Sequence, residues 1–144
     1  MRKSMKGMTL VELMTVMVVL AILTSIAVPS YRRYLIRAQR SDASTALLRV
    51  QSAEEKYFLQ YNRYTTNLTA LPKDGLGLAS DKSERGFYQL EVKPTPTGYN
   101  ATAKPIGGKG QSDDKKCQEF SLSETGIKKA KDAGGADSYA ECWR

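Results

Sequence analysis

At 144 residues, 41% of them hydrophobic and 26% charged, the chain has room for one core and one additional element. Histidine is absent, which excludes metal sites and acid–base catalysis built on imidazole. The 22 Lys and Arg outweigh 15 Asp and Glu for a net charge of +7; without Arg2, Lys3 and Lys6 the same tally gives +4, a balance that suits an anionic partner without demanding one.

The first element is an apolar run. From Leu13 to Tyr31, 19 consecutive residues carry no charge. As a helix they extend roughly 28 Å, enough for a hydrocarbon core of about 30 Å. Arg2, Lys3 and Lys6 precede the run and Arg32, Arg33 and Arg37 follow it, so positive charge alone gives little orientation. A secretory signal peptide cut after Ser25-Ile26-Ala27 would fit the apolar stretch, as would a simple single-span anchor. Neither explains why Gly7 and Glu12 bracket its start.

The stretch Lys6-Gly7-Met8-Thr9-Leu10-Val11-Glu12-Leu13-Met14, followed after the apolar run by Pro29-Ser30-Tyr31, resembles the processing and assembly segment of type IV pilins and the related pseudopilins. In that family a peptidase on the cytoplasmic face cuts after the glycine and methylates the new amine, while the apolar segment stays on the mature protein. The resemblance implies cleavage between Gly7 and Met8, methylation of Met8, and an assembly role for the Glu12 carboxylate. It also implies three regions: residues 1–7 as leader, 8–29 as membrane and assembly helix, and 30–144 as globular domain. Met8 stands where Phe is commonest, and Ala21 where glycine is frequent. A carboxylate near the end of a membrane span can stay hydrated, but becomes costly once helices pack and water leaves. The compensating group would be the Met8 ammonium of a neighbouring subunit, which exists only after the cut.

Beyond Pro29, where a kink is expected, the pattern changes. Ala43, Ala46, Leu47, Val50, Ala53, Tyr57 and Tyr61 recur at spacings of three and four, with Arg40, Arg49, Glu55 and Lys56 elsewhere on the wheel. This predicts an amphipathic helix ending near Asn62, which can take the left-handed cap conformation. The two halves together make a helix of roughly 50 residues, about 75 Å, too long for one small domain to bury. Ala21, Thr24, Ser25 and Ala27 could form a small-residue packing face, or simply face lipid.

A turn-rich connection extends to about Gly86, and three strands are predicted after it: Phe87 to Lys93, Tyr99 to Ala103 and Cys117 to Leu122, alternating with period two and separated by turns at Pro94 to Gly98 and Gly107 to Asp114. An antiparallel meander follows, its apolar face covered by the helix stripe, with Tyr57, Tyr61, Tyr88 and Tyr99 placed in the core. The tail from Ser123 is rich in glycine and charge and is expected to add little core. Cys117 and Cys142 are the two cysteines, and with an export-type N-terminus they read as one disulfide pinning that tail. The pilin resemblance implies the same, since pilins close a variable C-terminal loop this way. The expected fold is thus α+β, the type IV pilin fold, with a long N-terminal helix on a three- or four-stranded antiparallel sheet and a disulfide-closed C-terminal loop.

No cofactor is expected. Asp113-Asp114 lacks the spaced oxygens of a calcium site, Ile106 to Gly110 lacks the spacing of a phosphate loop, and Asn67-Leu68-Thr69 is better read as a turn than as a glycosylation acceptor. Neither a nucleophile elbow nor a metal cluster is seen, so the chain is read as a structural subunit rather than an enzyme. Lys104, Lys109, Lys115, Lys116, Lys128, Lys129 and Lys131 concentrate in the last 41 residues, where Asp113, Asp114, Glu119, Glu124 and Asp132 are interleaved. Lys128, Lys129 and Lys131 are candidate DNA contacts, weighed against a merely solvated surface. The expected function is a subunit of a type IV pilus, of the minor kind that primes or modifies a fibre in adhesion, twitching motility or DNA uptake. Its partners would be other pilin subunits, the prepilin peptidase, the inner-membrane assembly machinery, the membrane itself before assembly, and DNA in one variant. A single-pass precursor in the inner membrane would become part of an extracellular fibre. The alternatives are a DNA-binding pilin of competence and a pseudopilin of a type II secretion system, the second disfavoured by the cysteine pair.

Overall fold

The computed structural model describes residues 8–108 and 110–143; Gly7, on the proposed cleavage bond, and Lys109 lie outside them. Two compact units result, Met1–Leu35 and Ile36–Arg144. Helix α1, Leu10–Tyr61, contributes its 52 residues to both.

In the first unit the helix is exposed throughout and apolar enough to cross a membrane. Three of its hydroxyls, on Thr15, Thr24 and Ser25, are folded back on the backbone. Thr15 Oγ1 donates to the Glu12 carbonyl at 2.8 Å, Thr24 Oγ1 to that of Leu20 at 2.8 Å, and Ser25 Oγ to that of Ile22 at 2.7 Å. These bonds satisfy the three donors within the segment, as an environment without water requires. Pro29 lies inside α1.

The second unit is a four-stranded antiparallel sheet in the order β1-β2-β3-β4, with β1 at Tyr88–Pro94, β2 at Tyr99–Pro105, β3 at Glu119–Ser123 and β4 at Lys128–Lys131. Register places Leu90 against Ala103, Ala103 against Phe120, and Phe120 against Ala130, so one apolar row crosses the whole sheet. Buried Ala43, Ala46, Leu47 and Val50 of α1 join that row in a single core with Tyr88, Val92, Tyr99, Ala101 and Leu122, and Tyr57 is buried with its hydroxyl donating to the Lys73 carbonyl at 2.8 Å. Period-two alternation in the strands and the three-and-four spacing in the helix therefore meet as the pattern requires. The helix stops at Tyr61 because Asn62 turns to φ 51°, the left-handed region that asparagine tolerates.

Three expectations need correction. Tyr61 is 37% exposed, not core, because it is the last residue of the helix, where the chain turns away at Asn62. Ala53 is only half-buried. The tail adds more than expected: it supplies β4, whose Ala130 is buried, and a short helix α2, Tyr139–Cys142. The Cys117–Cys142 disulfide joins α2 to the segment entering β3, with Cα atoms 5.8 Å apart across 25 residues. Closing a loop of that length contributes roughly 3.5 kcal/mol on the chain-entropy estimate. Trp143 completes the closure, its indole N–H donating to the Lys129 carbonyl at 2.9 Å and its ring meeting Phe120 edge-on at 5.9 Å.

Candidate assembly segment and nucleic-acid face

The residues singled out near the N-terminus sit at the first turn of α1. Thr9 is the cap: its Oγ1 accepts from the Glu12 backbone N–H at 3.2 Å, and its carbonyl accepts from Leu13 N at 3.1 Å. Thr9-x-x-Glu12 has the spacing of a capping box, and the Glu12 carboxylate lies in the first turn, where the helix dipole favours negative charge. Glu12 thus has a local role that sequence reading missed, although the Thr-x-x-Glu spacing signals it. Both Met8 and Glu12 are exposed, available to a neighbour.

Within the second unit the candidate DNA residues occupy the sheet edge. Lys128, Lys129 and Lys131 are exposed on β4 while Ala130 points into the core. They do not form one uniform patch. Lys128 shares the parity of Ala130, and its ammonium lies 5.2 Å from the centroid of the Trp143 ring, a cation–π contact. Lys129 and Lys131 lie on the opposite, solvent face, together with Lys104 of β2. Glu119 stands between Lys131, at 3.5 Å, and Lys104, at 3.1 Å. Burial opposes the Glu119 charge, yet the two ammonium groups outweigh it and hold its pKa below the ordinary carboxylate value. The triplet carries net +1, and Lys129 beside it has only Ser121 opposite in register. At the far end of the connection into β3, Lys116 is paired with Glu141 at 2.8 Å.

A buried ion pair and a buried lone carboxyl escaped the sequence reading. Arg40 of α1 grips Asp114, its Nε 2.7 Å from Oδ2 and its Nη2 2.9 Å from Oδ1, and its Nη1 donates to the Glu141 carbonyl of α2 at 3.0 Å. Gln111, fully buried, extends the network by donating to Tyr88 Oη at 2.7 Å and to the Ile36 carbonyl at 3.2 Å. Asp114, weighed at first as a calcium ligand, is thus the anchor that holds the β2–β3 connection against α1.

Glu54 is the lone carboxyl. It is fully buried on the helix stripe, four residues after Val50, with Oε2 accepting from Thr65 N at 3.2 Å and Oε1 without a partner among the described residues. Burial raises its pKa from 4.5 to about 7, partly offset by the Thr65 hydrogen bond. The Tyr99 hydroxyl, also buried and without a partner among the described residues, is pushed up by burial and then by the Glu54 charge. A carboxyl whose folded pKa lies above its unfolded value binds more protons when folded. Stability should therefore fall as pH rises from about 4.5 to about 7, by about 3 kcal/mol in total, and level off above that. In Glu54→Gln this limb should flatten, and urea unfolding at pH 8 should show a more stable chain than wild type; an unchanged pH profile would refute the assignment.

Comparison with known proteins accords with this arrangement. Residues 29–121 match the family described as type IV minor pilin ComP, DNA uptake sequence receptor, and residues 2–28 match the prokaryotic N-terminal methylation motif. The chain is 33% identical to a type IV major pilin protein PilE1 of Neisseria gonorrhoeae over 84% of its own length and 65% of that relative's. It is 39% identical to a gonococcal PilE over 61% of its length and 50% of the relative's, and 29% identical to the Myxococcus xanthus major pilin PilA over 60% and 37%. The chain therefore spans between about a third and two thirds of the length of these three pilins. With a long apolar helix, a four-stranded antiparallel sheet, a disulfide-closed C-terminal loop and a family match over most of its length, the chain belongs to the type IV minor pilin family that ComP typifies.

Proposed function

We propose that this minor pilin is a DNA-binding subunit of its pilus, with the β4 edge as the phosphate-contacting face. The observation that carries the reading is the match of residues 29–121 to a family described as a DNA uptake sequence receptor, in a chain whose sheet edge exposes Lys128, Lys129 and Lys131. Pilins are processed by prepilin peptidase and assemble with other pilin subunits, and an N-terminal methylation motif on an apolar helix fits a membrane-anchored precursor that later enters a fibre. For this chain we assign the cut to the Gly7–Met8 bond and methylation to Met8. Residues 1–7 would then be the leader, 8–29 the membrane and assembly helix with its kink at Pro29, and 30–144 the head, on the far side of the inner membrane from the leader. Glu12 would pair with the Met8 amine of a neighbouring subunit.

Lys129 and Lys131 are the better placed of the three lysines, because they share the solvent face, where the triplet of Lys104, Glu119 and Lys131 keeps a net positive charge, whereas Lys128 is engaged with Trp143 on the other face. Binding of the purified chain to duplex DNA should fall steeply between about 50 and 200 mM salt, with a slope near −0.9 per phosphate contact. Lys129→Gln with Lys131→Gln should reduce that slope by about 2, one for each lysine removed. Absence of salt-sensitive binding by the wild-type chain would leave a purely structural pilin.

A further inference from the structure

We infer that Tyr31-Arg32-Arg33-Tyr34 is a binding site for acidic phospholipid headgroups at the C-terminal end of the membrane span. The four residues follow the uncharged run directly, Tyr31 being its last member, and all four are exposed on α1. Arg32 and Arg33 lie only about 1.5 to 3 Å further along the helix axis than Tyr31. When the run occupies hydrocarbon, the two guanidinium groups are at phosphate depth, well inside a Debye length of about 8 Å. Between Glu12 and Asp42 the sequence contains no acidic residue, and among the described residues neither arginine forms an ion pair. Their charge is therefore uncompensated by the chain. Arginine also matches phosphate geometrically, with paired N–H donors.

The tyrosines give the second half of the argument. Tyr31 and Tyr34, 62% and 61% exposed, are three residues apart and share one helix face. An aromatic body with a polar tip belongs at the level between acyl chains and headgroups. Two such rings flanking two unpaired arginines form an interfacial collar: the rings fix its depth and the arginines choose the lipid. Duplex DNA offers the same phosphates, but would leave two exposed tyrosines and the adjoining apolar helix unexplained, so the lipid surface is the occupant. One consequence is that withdrawal of the helix from an acidic bilayer must break these contacts.

The test is lipid selectivity of the full chain reconstituted in phosphatidylcholine bilayers containing trace spin-labelled phosphatidylglycerol or phosphatidylcholine. At low salt the wild-type chain should associate with labelled phosphatidylglycerol in preference. Arg32→Gln with Arg33→Gln should lower that preference by about fivefold for each arginine removed, the worth of one basic residue near a charged surface. Because Arg2, Lys3 and Lys6 are present in both proteins, their own pull on acidic lipid cancels in the comparison. Arg32→Lys with Arg33→Lys should keep most of the preference. An unchanged preference in the glutamine variant would overturn the site, and displacement of the labelled lipid by added duplex DNA would overturn the assignment to lipid.

Discussion

Asp114→Ala should destabilise the chain by about 3 to 5 kcal/mol, the usual consequence of removing one partner from a buried, hydrogen-bonded ion pair. Asp114 is 5% exposed, and its loss would leave the Arg40 guanidinium facing a protein wall with only the Glu141 carbonyl to receive it. Neighbouring bonds go as well. Asp114 Oδ1 accepts from Lys116 N at 3.3 Å, beside Cys117. The damage should therefore spread along the connection toward the disulfide. For a head of this size, 1 kcal/mol corresponds to roughly 4 to 8 °C in melting temperature, so thermal unfolding should shift by about 12 °C at least. A matched double change, Arg40→Met with Asp114→Leu, removes both charges together and should recover much of the loss, since apolar replacement of a buried pair is often neutral. If Asp114→Ala melts within a degree or two of wild type, the pair is not the anchor described.

That pair also shows where the sequence was readable. The helix stripe, the strand alternation and the cysteine pairing depend on local periodicity or on there being only two cysteines, and each appeared in the fold close to its expected bounds. Arg40 and Asp114 are 74 residues apart, and nothing local distinguishes an arginine on a polar helix face from one that reaches a distant loop. Glu54 was more accessible to reasoning: at four residues after Val50 and seven after Leu47 it falls on the apolar stripe, so its burial follows from the wheel once charge is not assumed to mean exposure. The β4 strand was hidden for a different reason. Lys128-Lys129-Ala130-Lys131 offers one small apolar side chain to the core, and its pairing depends on β3 being present beside it. Three lysines on an edge strand also discourage pairing with another chain, so the composition that obscured the strand is what a sheet edge needs.

Glu12 can now be tested more sharply than by deletion of its side chain, because it has two separable roles. As the third residue of the helix it stands at the Thr-x-x-Glu capping position, its backbone N–H donating to Thr9 Oγ1, and as a carboxylate it carries the charge proposed to meet the Met8 amine of a neighbour. Glu12→Gln keeps the capping geometry, since glutamine serves in a capping box, but removes the charge. Glu12→Ala leaves the backbone N–H that Thr9 accepts but removes both the charge and the side chain at the capping position, with about 0.3 to 1 kcal/mol of helix-end stability at stake. If charge governs assembly, both variants should be cleaved and inserted normally, and both should be lost from sheared filaments. Without the carboxylate, the amine becomes the uncompensated ion when helices pack, at several kcal/mol per site. Incorporation should therefore fall by about a hundredfold or more, read as the ratio of filament to membrane signal on immunoblots. If capping governs, the two variants separate: glutamine assembles like wild type and alanine is only modestly reduced. Normal incorporation of Glu12→Gln would remove the pairing of Glu12 with a neighbouring amine, and would leave the carboxylate as a helix cap at the membrane boundary.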